Sequence, residues 1–335
     1  MKRFFLCLLI AGITVAFLPI GIPSAHASNV NLTFSIFFPP THAHAKAAMD
    51  FAKAVEKQSN GKVKITCFPG STLVKPNQAY SGVVKGIADM ALSVFAYTRG
   101  RFPVMSAVDL PMGYPSGMVA SRVAAEFGRI VNPKELQDVK VIYLHAHGPA
   151  MLQTKKPVRN LEDLKGMKIR APGAVTEVLE VLGAIPVPMP MSESYEALQK
   201  GVVEGILSPV EVQKGWKLAE VTGNITNSQC IGYTNVEYVV MNLKKWKSLP
   251  EDVKKIFENL GPKWTDKHGK VWDSIDEEGI AYAKAQGSSF IELPEEEKAK
   301  WKKAVQPIID KYIADTPNGA EYVQKIKELM KKFSD

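Results

Sequence analysis

Arg170 is the residue in this chain whose type and position suit it best to chemistry. It lies in the stretch Lys165-Gly166-Met167-Lys168-Ile169-Arg170-Ala171-Pro172-Gly173, which reads as a helix end, a short strand, a sharp turn and a new helix start. Strand alternation puts Met167 and Ile169 on one face and Lys168 and Arg170 on the other. An arginine at a strand's carboxyl end lies where open α/β sheets bind ligands. Its planar fork matches a carboxylate through two parallel hydrogen bonds. Spacing alone leaves a second reading open, an ion pair at the surface or between domains.

Histidine is the next group to weigh. Four of the six histidines fall in two His-x-His pairs, His42/His44 and His145/His147. His42 and His44 lie at a helix start, where two residues span about 200° of rotation and point to opposite sides. His145 and His147 follow a strand and can face the same way, which makes His147 a candidate for lining a cleft. A zinc or iron site needs further ligands, and no carboxylate has the matching local spacing. Neither a metal nor a cofactor is expected. Gly-x-Ser-x-Gly, His-Glu-x-x-His, Gly-x-Gly-x-x-Gly and the phosphate-binding loop are all absent. Glu162/Asp163 and Glu295 to Glu297 sit at helix N-termini, where the macrodipole is reason enough for them. The pattern points to a binding protein rather than an enzyme.

The elements that must hold these residues follow a βα order. Asn31–Phe38, Val63–Phe68 and Ala88–Val94 read as strands, with helices between them from Thr41, a plausible N-cap, to Asn60-Gly61 and from Tyr80 to Gly86. After a Pro-, Gly- and Met-rich loop, Ser116–Val131 is helical and Lys140–Leu144 a strand. A second block repeats the order. It has strands at Met167–Ala171, Ile185–Val187 and Gly205–Ser208, and a helix that Ser192 caps. Tyr233–Asn242 is strand-like, and Pro250 opens a long helical tract to Gln286. Two lysine-rich helices close the chain. This is an α/β pattern with parallel sheets covered by helices.

The chain has 335 residues, 46% apolar and 23% charged, enough for about two domains. Residues 1–27 read as a cleavable signal peptide. Lys2 and Arg3 form its basic end, Phe4–Leu18 its apolar run, and Ala25-His26-Ala27 its processing site. The mature chain is then expected in the periplasm. Its formal charge falls from +8 to +6 once Lys2 and Arg3 leave. The lysines are spread over helices beside glutamates, so no nucleic-acid partner is expected. Cys67 and Cys230 are read as buried free thiols on strands, with a disulfide as the alternative.

Taken together, the motifs resemble the extracytoplasmic solute-binding component of tripartite ATP-independent periplasmic (TRAP) transporters, of the DctP type. The resemblance rests on Lys165-Gly-Met-Lys-Ile-Arg170, then Gly183-Ala-Ile-Pro186, then Tyr195-x-Ala-Leu-Gln-x-Gly-Val-Val-Glu-Gly205, in that order. Asn60-Gly61-Lys62, Phe68-Pro69-Gly70 and Asp109-Leu110-Pro111 add weaker landmarks. The resemblance implies a two-lobe periplasmic-binding-protein-like fold with a ligand cleft and a long helix spanning the hinge. One lobe is expected from 28–147 plus 236–275, the other from 148–235 plus 276–335. It implies a monomer that closes on a small carboxylate and delivers it to membrane permease subunits. It also implies that Arg170 grips the ligand carboxylate.

Three positions depart from the family pattern. Ala150 stands where sialic-acid-binding members carry a second arginine, Ser208 where many members have asparagine, and Met191 where an aromatic residue is usual. These changes remove charge and polar reach, and Met191, Met151 and Leu207 make the far end of the pocket apolar. The ligand expected is a monocarboxylate with an apolar or aromatic body, such as an aromatic or branched keto or amino acid. Phe38, Phe95 and Tyr97 at strand ends are expected to close on that body. Tyr233, Asn235 and Glu211 are expected to supply polar contacts. A ligand-reporting receptor subunit for a sensor, or a periplasmic enzyme, is the alternative.

Overall fold

The computed structural model describes residues 30–334. The segment read as a signal peptide lies outside the described residues. The strands in chain order are β1 (Val30–Ile36), β2 (Val63–Phe68), β3 (Met90–Val94), β4 (Val139–Ala146), β5 (Met151–Thr154) and β6 (Lys168–Ala171). They continue as β7 (Ile185–Pro188), β8 (Gly205–Ser208), β9 (Asn224–Asn227), β10 (Val236–Asn242) and β11 (Ser289–Glu292). Two sheets result, one in the order β2-β1-β3-β10-β4 and the other β11-β9-β5-β8-β6-β7. β1 runs parallel to β2 and β3, and β6 runs parallel to β7 and β8. β10 is antiparallel to β3 and β4, and β5 to β8 and β9. Each lobe is thus an α/β layer whose parallel strands all end toward the same crevice.

Local sequence explains most of the elements. Helix Ala43–Gln58 buries Ala47, Ala48, Phe51, Ala52 and Val55 on one stripe and ends where Asn60 and Gly61 take left-handed backbone. Its N-cap is His42 rather than Thr41. The His42 ring accepts the His44 N–H at 3.2 Å, the role a shorter polar side chain usually plays. Helix Gly117–Val131 is capped by Ser116, which accepts from Val119 N–H, and stops at left-handed Asn132. The helix expected to start at Ser192 begins instead as a turn, Met191–Glu193, running into Ser194–Gln199. Strands β5, β9 and β11 were not picked out from the sequence.

The chain crosses between the sheets at 147–150 and again at 228–235. The 35-residue helix Glu251–Ala285 lies along both. Two glycines let it approach. A Cβ on Gly261 would collide with the Ile142 carbonyl of β4, and one on Gly279 would lie 2.8 Å from Glu211 Cα after β8. The last helix, Gly319–Ser334, was expected on the second lobe with the rest of 276–335. Instead its Ile326 and Leu329 pack with Val119, Val123 and Phe127 in the first lobe's outer core. Its apolar stripe says that it must be covered, but not by which lobe. No helix among the described residues is long and apolar enough to cross a membrane.

Cys67 and Cys230 are free and half-buried. Cys67 is on β2 as expected. Cys230 lies in the turn Gln229–Ile231, not on a strand.

Candidate functional site

Arg170 sits on β6 with 2% of its surface exposed. Its Nε and Nη2 both donate to the Met189 carbonyl, at 3.0 and 2.8 Å, which fixes the guanidinium plane. Among the described residues no carboxylate lies within ion-pair distance of it. The ion-pair alternative is therefore not what the structure shows. A buried guanidinium without a counter-charge is costly, and its remaining N–H groups are available to an anion.

The crevice around Arg170 is walled by rings. Phe37 and Phe38 follow the end of β1, Tyr97 follows β3, and Trp216, Tyr233 and Trp272 close the remaining sides. Phe37 stacks on Trp216 with centroids 6.3 Å apart and meets Tyr97 edge-on at 5.9 Å. Met191 lines the same space, and its N–H donates to the Tyr97 hydroxyl at 3.2 Å, joining the two lobes. Ser208 ends β8 with its hydroxyl 3.1 Å from Gln153 Nε2. Free space here is only about 40 Å³, whereas hollows of about 400 and 720 Å³ lie elsewhere on the molecule. The unpaired buried charge, not volume, marks the site.

Most of the residues expected from the sequence converge here: Arg170, Met191, Ser208, Glu211, Tyr233, Asn235, Phe38, Tyr97 and His147. Two do not. Phe95 packs against Phe102 and Tyr238, at 4.6 and 4.8 Å, in the outer core of the first lobe. The chain leaves β3 at Val94 and turns through Phe95–Tyr97, which keeps Val94 and Tyr97 on the cleft and sends Phe95 to the core. Met151 packs with Val210, Ile225 and Ala283. Leu207 likewise joins the core, on the face opposite Ser208. The apolar body of the crevice comes instead from Phe37, Trp216 and Trp272, which the sequence did not single out. Phe37 shares its strand end with Phe38, a signal that was legible. Trp216 and Trp272 sit on distant elements and carried none.

On the first-lobe wall the histidines are arranged in a buried stack. His44, His145 and His268 bring nitrogens within 4.8 Å of one another, a grouping that local spacing did not reveal. Their ring planes differ by only 7–13°, so their in-plane lone pairs do not converge on one point. They hydrogen-bond instead. His44 Nδ1 meets His268 Nδ1 at 2.7 Å, His268 Nε2 meets the Tyr143 hydroxyl at 3.3 Å, and Trp272 donates its indole N–H to His145 Nδ1 at 3.1 Å. Burial pushes all three pKa values down, His268 to about 3, and the neighbouring rings reinforce this for His44 and His145. Burial also lowers His147 to about 4, against a hydrogen bond to the Gly148 carbonyl. The stack is neutral at any ordinary pH.

Glu237 was missed by the sequence reading. It faces the crevice from β10, opposite Val94 and His145. Burial first, then Asp109 and Glu211, raise its carboxyl well above the ordinary range. Glu211 itself lies across the cleft from His42, with Oε2 to Nε2 at 3.0 Å and both side chains buried. Because His42 Nδ1 accepts the His44 N–H, the neutral ring carries its proton on Nε2 and donates it to Glu211. Gly215 makes room for this pair. A Cβ there would press on Glu211 Oε2 and lie 2.7 Å from His42 Nε2.

A buried, unpaired arginine at a strand end, between two α/β lobes, defines a receptor for small organic anions. Residues 34–315 match the family model of bacterial extracellular solute-binding proteins, family 7, called DctP, and the chain belongs to that family. It is 27% identical over 328 residues to the C4-dicarboxylate-binding periplasmic protein DctP of Rhodobacter capsulatus, covering 95% of this chain and 96% of that one. A TRAP solute-binding protein from Rhodoferax ferrireducens, solved with copurified benzoate, superposes with a TM-score of 0.86 at 29% identity, covering 91% and 98%. A marine-metagenome TRAP solute-binding protein specific for aromatic acid ligands, solved with 3-hydroxybenzoate, gives 0.86 at 31% identity, covering 92% and 99%. The protein is thus an extracytoplasmic solute-binding protein of the TRAP class. Such proteins bind small organic acids and work with membrane permease components, and are not enzymes.

Proposed function

We propose that this protein captures a monocarboxylate with an aromatic body and delivers it to the permease subunits of a TRAP transporter. The observation that carries the reading is Arg170. It is a buried cation without a protein counter-ion, enclosed by Phe37, Phe38, Tyr97, Trp216 and Trp272. The ligand carboxylate takes the free side of the guanidinium while Met189 holds the other side. The rings cover the body, as apolar pockets with a few placed polar groups do. The cleft supplies no second arginine for a second carboxylate, since Arg170 is its one arginine. Similarity to proteins solved with benzoate and 3-hydroxybenzoate supports the aromatic body. Because both lobes contribute walls, ligand binding favours the closed form by its differential affinity for it.

The test is a thermal-shift screen of organic acids on the mature protein, since binding to the native state raises its apparent stability. Benzoate-type and phenylacetate-type acids are expected to raise Tm, and Arg170→Ala is expected to abolish the rise. Stabilisation by succinate or malate, with no response to any aromatic acid, would show the reading to be wrong.

A further inference from the structure

The crevice has a second polar group, built on β10 and the two crossing segments. Three side chains form it, each with an atom left unpartnered or turned to the cleft. Glu237 is 3% exposed, and its Oε2 has no hydrogen-bond partner. The nearest basic atom, His145 Nδ1, is 3.5 Å away and already accepts the Trp272 N–H, so it has no proton to give in the neutral ring. Asn235 takes the Tyr233 hydroxyl on Oδ1 at 2.7 Å; its side chain also lies beside Asp109 and His147, and its Nδ2 makes no hydrogen bond of good geometry. His147 donates from Nδ1 to the Gly148 carbonyl at 2.6 Å. That tautomer leaves Nε2 as an acceptor, in a residue that lines the cleft.

Unpartnered buried polar atoms each carry a desolvation penalty. The three residues that carry them line the ligand space and are chemically mixed, with acceptors on Glu237 and His147 and a donor on Asn235. A carbonyl or an ether can only accept, so it leaves His147 Nε2 unmatched. An ammonium can only donate, so it leaves Asn235 Nδ2 unmatched. A hydroxyl does both. It also suits Glu237 whether that carboxyl is protonated or not.

We infer that the bound acid carries a hydroxyl on the side away from its carboxylate, and that Glu237, with His147 and Asn235, reads that hydroxyl. This rests on the proposal that Arg170 takes the carboxylate of an aromatic acid. Arg170 sets the class of ligand; the second polar group selects among its members. A site that hydrogen-bonds a buried hydroxyl discriminates strongly against the analogue lacking it, because its own polar atoms are then left unpaired.

Titration calorimetry tests this with benzoate and phenylacetate, their 3- and 4-hydroxy derivatives and the corresponding methyl ethers. The quantity read is the affinity of each hydroxy acid relative to its parent. At least one hydroxy isomer is expected to bind tenfold or more tighter than its parent, and its methyl ether is expected to lose that gain. Glu237→Leu is expected to cut the ratio below threefold, and Glu237→Gln, which keeps an acceptor, to restore part of it. The parent acid measured on each variant is the internal reference for a folded site. Parents that bind as tightly as every hydroxy isomer, or a ratio that survives Glu237→Leu, overturn the inference while leaving the aromatic-acid reading standing. No binding of any of these acids overturns both.

Discussion

The two walls of the cleft treat buried polar groups in opposite ways. On the second lobe, Arg170 is buried with no protein counter-charge, only the Met189 carbonyl, and the ligand must bring the counter-charge. On the first lobe, four histidines and Glu237 are pushed by burial toward their neutral forms. The difference is physical. An arginine cannot shed its proton inside a protein, so burying one stores a demand for an anion. A histidine or a carboxyl can change protonation and satisfy itself with hydrogen bonds. One wall therefore attracts the ligand by charge, and the other shapes it by stacking and hydrogen bonding.

The largest expected effect breaks the charged wall. Arg170→Ala should weaken binding of any accepted carboxylate by about 2–5 kcal/mol, the scale for one side of a desolvated ion pair. Calorimetry would show this. Ligand-free unfolding should show little loss or a gain, because an unpaired buried charge has gone. A large fall in ligand-free stability would mean that Arg170 has a protein counter-charge after all.

The next effect concerns the contact that joins the walls. His42→Ala leaves Glu211 buried without its donor and should cost about 1–3 kcal/mol in the closed form. Gly215→Ala should do similar damage by crowding the same pair. Scattering in the presence of ligand should then show a more open particle than wild type.

Trp216→Ala removes one face of the ring enclosure. It should cost about 1–3 kcal/mol in affinity for an aromatic acid and much less for a small aliphatic one. Equal losses for both would mean that the ring shapes closure rather than contacting the ligand body.

The neutral wall can be probed through pH. For the histidines the folded pKa lies below the unfolded value of about 6.5. Their contribution is therefore complete above pH 6.5 and is lost as pH falls toward 4 for His147 and toward 3 for His268. Asp109 and Asp276 run the other way. Burial raises both to about 8 in the folded chain. Between the unfolded carboxylate range and pH 8 the native state holds more protons, so stability falls as pH rises through 8. Urea unfolding should show highest stability near pH 6–6.5. The decline toward pH 8 should be about 1 kcal/mol per pH unit for each such group, and Asp276→Asn should flatten it.

The smallest effect is a control on the turn after β3. Phe95→Leu lies outside the cleft and should change ligand affinity less than threefold, while unfolding should show a packing loss of about 1 kcal/mol. A large loss of affinity would put Phe95 on the cleft face and contradict the packing seen here.

Much of this arrangement was legible from the chain. The βα order, the long helix and the placement of Arg170 at a strand end follow from periodicity and punctuation. The motif order from Lys165 to Gly205 pointed to the family. The His-x-His pair at the first helix was misjudged. His42 and His44 do not point to opposite sides: His42 is the N-cap rather than a helical residue, and the two rings stack 5.6 Å apart against Phe38, although they hydrogen-bond different partners. The convergence of three histidines from three elements left no local trace.

What the sequence determined by itself is what short-range physics controls: caps, turns, strand alternation, and an arginine that cannot become neutral. What only the tertiary structure decided is which face of each strand meets the other lobe. Alternation along β3 does not say on which side of Val94 the cleft lies, nor that the turn after it sends Phe95 to the core. The pairing of His42 with Glu211, 169 residues apart, and the siting of Trp216 and Trp272 depend on how two lobes close. The last helix shows the same limit, since its apolar stripe required burial and the packing of the whole chain chose the first lobe. The demand for a carboxylate was written locally at Arg170. The enclosure that selects the rest of the ligand exists only where distant elements meet.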